Sequence, residues 1–110
     1  MINRGASVTV VSAHDVKEWD TSGSAVIIDV REPHEYRAEA IPGAFSLPLS
    51  MFDAARLPPV PEGKKLVFHC RSGVRCGSAA EAARLQGYKG EIFRMEGGIL
   101  AWKAIGGETR

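Results

Sequence analysis

The segment Leu66-Val-Phe-His-Cys70-Arg-Ser-Gly-Val-Arg75 carries an apolar run into a cysteine, with two arginines and a glycine in the next five residues. A cysteine that ends a buried strand just before a helix sits at the carboxyl edge, where open α/β sheets hold their ligands. Residues 71–75 then form a tight loop in which Gly73 permits backbone angles that other residues resist, so the loop N–H groups can turn inward. Such a nest, at the positive end of a helix and flanked by Arg71 and Arg75, favours an anion at its centre. The nearest anion is the Cys70 thiolate; a thiol pKa of about 8.5 falls to roughly 3.5–7.5 in surroundings of this kind. The chemistry implied is nucleophilic attack by sulfur, with the same donors available to an anionic substrate group. A cysteine after an apolar strand is, taken alone, more often a small buried hydrophobe. Two guanidinium groups within five residues of it would be an odd arrangement for packing, and they favour chemistry.

The elements that must position this loop alternate between strand and helix, the pattern of an α/β sheet. Val8–Val11 reads as a short strand, and Ser12-Ala-His-Asp15 as a capping box opening a helix through Trp19. Ala25–Val30 is a nearly continuous apolar run, as expected of a central parallel strand buried on both faces. Glu32-Pro33 starts a short helix through about Glu39, Ile41-Pro-Gly-Ala44 is a turn, and Phe45–Leu47 a short strand. A helix is expected over Ser50–Leu57, with Ser50 and Asp53 as a capping box and Pro58-Pro59 as its stop. Leu66–His69 is the next strand, Ser78–Gln86 a helix ending at Gly87, and Ile92–Met95 the fifth strand. Gly97-Gly98 leads into a last helix containing Leu100, Trp102 and Ile105. His14 and His34 lie near helix starts and read as solvated or capping groups, while Trp19, Tyr36 and Trp102 read as core or rim aromatics. Cys76, in the first helical turn and followed by small residues, is expected to pack.

With 110 residues, 45% of them hydrophobic and 25% charged, the chain reads as one domain, residues 1–110, able to bury a core. The net charge of +1, with neither sign gathered in a block, predicts no nucleic-acid or membrane partner. The opening residues MINRGASVTVV lack an apolar leader run, so a cytoplasmic setting is expected. Two cysteines give no disulfide scaffold, and the spacing of Cys70 and Cys76 matches no common zinc pattern, so no metal is expected.

Cys70-Arg-Ser-Gly-Val-Arg75 resembles the six-residue active-site loop of rhodanese domains. Asp29-Val-Arg-Glu32 is similar to that family's segment after its second strand, Ile41-Pro-Gly-Ala44 to its turn, and Gly97-Gly-Ile-Leu-Ala-Trp102 to its closing motif. The likeness spans about residues 8–105; one departure is Ala40, where a histidine commonly precedes the turn. The resemblance implies an α/β domain with a central, mostly parallel five-stranded sheet and helices on both faces. It implies that Cys70 takes the outer sulfur of a small anionic donor such as thiosulfate, holds it as a persulfide, and gives it to cyanide or a thiol, which could be a protein thiol. Arg71 and Arg75 would bind the donor's oxyacid group. Backbone N–H groups from Ser72 through Gly73, Val74 and Arg75 to Cys76 would hold the thiolate. Asp29 and Arg31 would brace the site, and no cofactor is needed.

Three alternatives bear on this reading. Cysteine phosphatases place five residues between cysteine and arginine, whereas four separate Cys70 from Arg75, so the spacing disfavours phosphate chemistry. Persulfide carriers and regulatory binding modules share the fold, although the latter usually lack the cysteine. A second thiol could also intercept a persulfide. A loop wrapped around Cys70 is expected to point Cys76 toward the sheet, beyond the roughly 7 Å Cα separation that a disulfide tolerates.

Overall fold

Buried side chains alternate along the strands and divide the interior in two. Ile28, Leu66, Phe68 and Ile92 face one side of the sheet, and Ile27, Val67 and Met95 the other. A strand that is apolar on both faces has to be covered on both, which is the condition for a parallel sheet flanked by helices. The computed structural model describes residues 7–110, and the reading of the first six residues lies outside them. The elements are β1 (Ser7–Val11), α1 (Ala13–Thr21), β2 (Ala25–Asp29), α2 (Pro33–Ala38), β3 (Phe45–Ser46), β4 (Lys65–His69), α3 (Arg75–Leu85), β5 (Glu91–Met95) and α4 (Gly98–Ala104). The strand order is β1-β5-β4-β2-β3, and every pairing is parallel. The sheet is therefore parallel throughout.

α3 packs one face through Cys76, Ala79, Ala80 and Ala83, whose small side chains let the helix lie close over Phe68 and Ile92. α1 and α4 cover the other face through Ala13, Val16, Ile99 and Trp102. The α1 cap is as read: Ser12 Oγ accepts from Asp15 N–H at 3.0 Å. Among the described residues no helix is long and apolar enough to cross a membrane.

Two segments differ from expectation. Ser50–Leu57 is not a helix but two 3₁₀ turns, Leu49–Met51 and Ala54–Arg56. The Ser50 hydroxyl donates to Glu32 Oε1 at 2.6 Å instead of capping. Asp53 takes extended angles and accepts from Ala55 N–H at 3.0 Å, so the first turn stops and a second begins. Along this broken path Leu49, Phe52 and Leu57 pack against the core. α3 begins at Arg75, three residues before the expected Ser78, which puts its first amides inside the loop after Cys70.

The β5–α4 turn locks the loop from the opposite side. Ile99 N–H donates to the Cys70 carbonyl at 2.8 Å and Leu100 N–H to that of Arg71 at 3.2 Å. Gly98 makes this possible: its φ is +58°, and a Cβ there would overlap the carbonyls of Cys70 and Arg71. Gly98→Ala is expected to cost about 3 kcal/mol through strain and overlap, read as a fall in Tm of roughly 10–20 °C. Gly106→Ala is the control, since φ is +82° there but the space beside it is open; it is expected to cost only about 1 kcal/mol. Equal losses at both positions would contradict the docking role of Gly98.

Candidate active site

Cys70 follows β4 directly and is 1% exposed. α3 has no side-chain cap: Val74 stands at its N-cap position and offers no acceptor. Helix-initiating amides need an acceptor, and here Cys70 sulfur supplies it. Gly73, at φ +107°, donates its N–H to Cys70 Sγ at 3.1 Å. The amides of Cys76 and Arg75, in the first turn of α3, also favour the charged form of the sulfur. A hydrogen bond from the Cys76 thiol is the largest single influence on it; together with the three amides it outweighs burial and brings Cys70 down to about 5. Cys70 is therefore a thiolate at neutral pH.

Cys76 is fully buried, as packing predicts, and its thiol also bears on the ionisation of Cys70. Its Sγ donates to the Gly73 carbonyl at 3.2 Å. The thiolate in front of it, aided by burial, pushes the Cys76 thiol well up, and Cys76 stays protonated. α3 begins at Arg75, so Cys76 lies in its first turn, as read, and packs in the cluster that holds Cys70.

The two arginines of the loop part company. The Arg75 guanidinium grips the Glu35 carboxylate with both arms, at 2.7 and 3.0 Å, tying the start of α3 to α2. The Glu35 carboxyl falls to about 2, chiefly through this hydrogen bond. Arg75 is therefore not a free cation beside the thiol. Arg71 is exposed and enters no ion pair among the described residues. Ser72 is exposed, and Val74 is 74% exposed at the tip of the loop.

Beneath the loop, Asp29 and Arg31 form a buried pair. Arg31 Nη2 donates to Asp29 Oδ2 at 2.7 Å and to the Glu39 carbonyl at 2.6 Å, and Arg31 N–H donates to Asp29 Oδ1 at 2.9 Å. This fixes the chain leaving β2 next to β4. His69, opposite Asp29 in the sheet, is fully buried, and burial lowers its pKa, leaving the ring neutral. Its Nδ1 lies 3.1 Å from the Cys70 carbonyl, and since a carbonyl only accepts, that nitrogen carries the proton. Sequence reasoning missed Glu35 and Arg94. Arg94 Nη2 donates to the Gly73 carbonyl at 3.0 Å. A charged residue between the apolar Phe93 and Met95 of β5 was the available signal for Arg94; Glu35 had none, because its role depends on where α2 lies.

Comparison with known proteins agrees with this geometry. Residues 12–105 match the model of the Rhodanese-like domain family. The chain is 35% identical over 81 residues to a protein named "Sulfurtransferase" from Allochromatium vinosum, covering 74% of each. It is 30% identical over 101 residues, 90% of this chain but 26% of the relative, to "Probable adenylyltransferase/sulfurtransferase MoeZ" of Mycobacterium tuberculosis. A solved structure from Rhodopseudomonas palustris, described as a protein of unknown function and possible tyrosine phosphatase, superposes with a TM-score of 0.76 at 32% identity, covering 94% of this chain and 85% of that one. The chain spans less than half the length of several curated relatives that it matches. On its family match, its parallel sheet and its relatives, this chain belongs to the rhodanese-like domain family.

Proposed function

We propose that this domain transfers sulfane sulfur through Cys70. The observation that carries the reading is a preformed ring of donors around a buried thiolate whose pKa is lowered to about 5. The thiolate attacks the outer sulfur of a donor such as thiosulfate, the S–S bond breaks, and sulfite leaves with its electron pair: Cys70–S⁻ + S–SO₃²⁻ → Cys70–S–S⁻ + SO₃²⁻. Cyanide or a thiol then takes the outer sulfur and returns the thiolate. This is covalent catalysis in two steps, and neither step calls for a metal or organic cofactor. The loop amides hold negative charge in both resting and loaded states. Arg71, exposed at the rim and in no ion pair among the described residues, is the side chain for the donor's oxyanion, while Arg75 shapes the loop through Glu35. A site that needs a free thiol suits a reducing cytoplasm.

Phosphate chemistry is the poorer fit. Where the phosphatase signature requires an arginine, this chain has the buried Cys76, and the Arg75 guanidinium is committed to Glu35. A phosphoryl dianion would meet no bidentate cation from the loop. The carrier reading differs only in its acceptor, a protein thiol, and the match to a quarter of a larger sulfurtransferase-named protein favours it as the second choice.

Cys70→Ser is expected to fold and to make no thiocyanate from thiosulfate and cyanide. A near wild-type rate in that variant would sink the assignment. A charge-assisted contact is worth about 1.5–3 kcal/mol, so Arg71→Ala is expected to lower kcat/KM for thiosulfate by about one to two orders of magnitude. Arg75→Ala is expected to lower Tm as well, because it also unties α3 from α2. An unchanged kcat/KM in Arg71→Ala would remove Arg71 from the donor site.

A further inference from the structure

Cys70 and Cys76 are both free, both buried and members of one apolar cluster. They bracket the Gly73 peptide: its N–H lies on Cys70 Sγ at 3.1 Å and its carbonyl on Cys76 Sγ at 3.2 Å. The two thiols also bear on each other's ionisation. A thiol needed only for packing has no reason to face the nucleophile. The geometry points to Cys76 as a resolving thiol that discharges the Cys70 persulfide as sulfide and closes a Cys70–Cys76 disulfide.

This step rests on the sulfur-transfer reading, which supplies the persulfide. Cys76 Sγ attacks the inner sulfur, Cys70 Sγ. The bond from Cys70 Sγ to the outer sulfur breaks, and its electron pair leaves with the outer atom, which takes up the Cys76 proton: Cys70–S–S⁻ + Cys76–SH → Cys70–S–S–Cys76 + HS⁻. The sulfane sulfur is reduced by two electrons, one from each cysteine sulfur, so no outside oxidant enters. In the resting site the Cys76 proton lies on the Gly73 carbonyl, and Cys76 waits as a donor. Loading moves the negative charge to the outer sulfur, and the inner sulfur becomes an electrophile within reach.

Arg94 supports the step from the far side. Its Nη2 holds the Gly73 carbonyl at 3.0 Å, its side chain bears on Cys76, and its buried Nε has no partner among the described residues. It is a cation placed to stabilise negative charge as it develops on Cys76. A cavity of about 290 Å³ lined by Ser72, Gly73, Cys76, Arg94 and Gly97 opens on the Cys76 side of the loop, the side from which a small thiol would approach to reduce the disulfide. When an acceptor is present, transfer competes with discharge. Without one, the stored sulfur leaves as sulfide.

The test uses the reduced full chain, incubated with thiosulfate without an acceptor, and reads sulfide release together with a tryptic map at acid pH. Trypsin cuts after Arg71 and Arg75, so the two cysteines fall on separate peptides. The wild type is expected to release sulfide and yield those peptides joined by a disulfide. Cys76→Ser, whose hydroxyl still donates, is expected to keep the extra sulfur on the Cys70 peptide and release at least about ten-fold less sulfide. A wild type that holds its persulfide as long as Cys76→Ser, with no joined peptides, would overturn the inference and leave sulfur transfer standing. Sulfur uptake by neither protein would overturn both. Should Cys76→Ser fail to fold, diamide treatment of the reduced wild type decides: joined peptides support the pair, and their absence overturns it.

Discussion

The first amides of an α-helix have no carbonyl to bond, and a helix that starts inside a folded domain must find them an acceptor. In this chain α3 begins with no capping side chain, and the sulfur at the end of β4 accepts from Gly73 just ahead of it and draws on the first-turn amides of Arg75 and Cys76. An anion answers both the amides and the helix dipole better than a neutral thiol does. The same contact therefore completes a helix and ionises a nucleophile. Folding and reactivity share one interaction here, which is why the loop can be rigid and charged before any substrate arrives.

That arrangement tolerates little movement, and the surroundings limit it from every side. β4 is central in the sheet, so the Cys70 backbone is fixed by β2 and β5. Gly98 lets the start of α4 close on the Cys70 and Arg71 carbonyls. Glu35 and Arg75 tie α2 to α3, and Arg94 holds the Gly73 carbonyl, so the loop keeps its N–H groups inward. The Asp29–Arg31 pair performs the equivalent task below, where its buried charges are matched by each other and by the Glu39 carbonyl. Each of these groups acts on the sulfur through the backbone rather than by touching it.

The α/β alternation and the loop's position were legible in the sequence because they follow from local signals: β-branched runs, the Ser12 cap, Gly73 and the cysteine at a strand end. The helix expected over Ser50–Leu57 was not there, because its capping residues were already claimed, Ser50 by Glu32 across the fold and Asp53 by its own turn. The site was legible as far as its chain-local parts. Arg75 reads from the sequence as an anion-binding group equal to Arg71, and only the placement of α2 reveals Glu35 holding it. Cys76 reads as packing and does pack, but its bond to the Gly73 carbonyl shows only in the fold. Long-range pairing decides such roles, and a single sequence carries no record of it.

The central claim is that the loop amides and the Cys76 thiol hold Cys70 as a thiolate at neutral pH. The rate of Cys70 alkylation by iodoacetamide, followed on its tryptic peptide across pH, measures this directly, because only the thiolate reacts. With the pKa lowered to about 5, the rate should be flat between about pH 6 and 8 and fall about ten-fold per pH unit below 5. A rate that keeps climbing through pH 8, as for an ordinary thiol, would contradict the account.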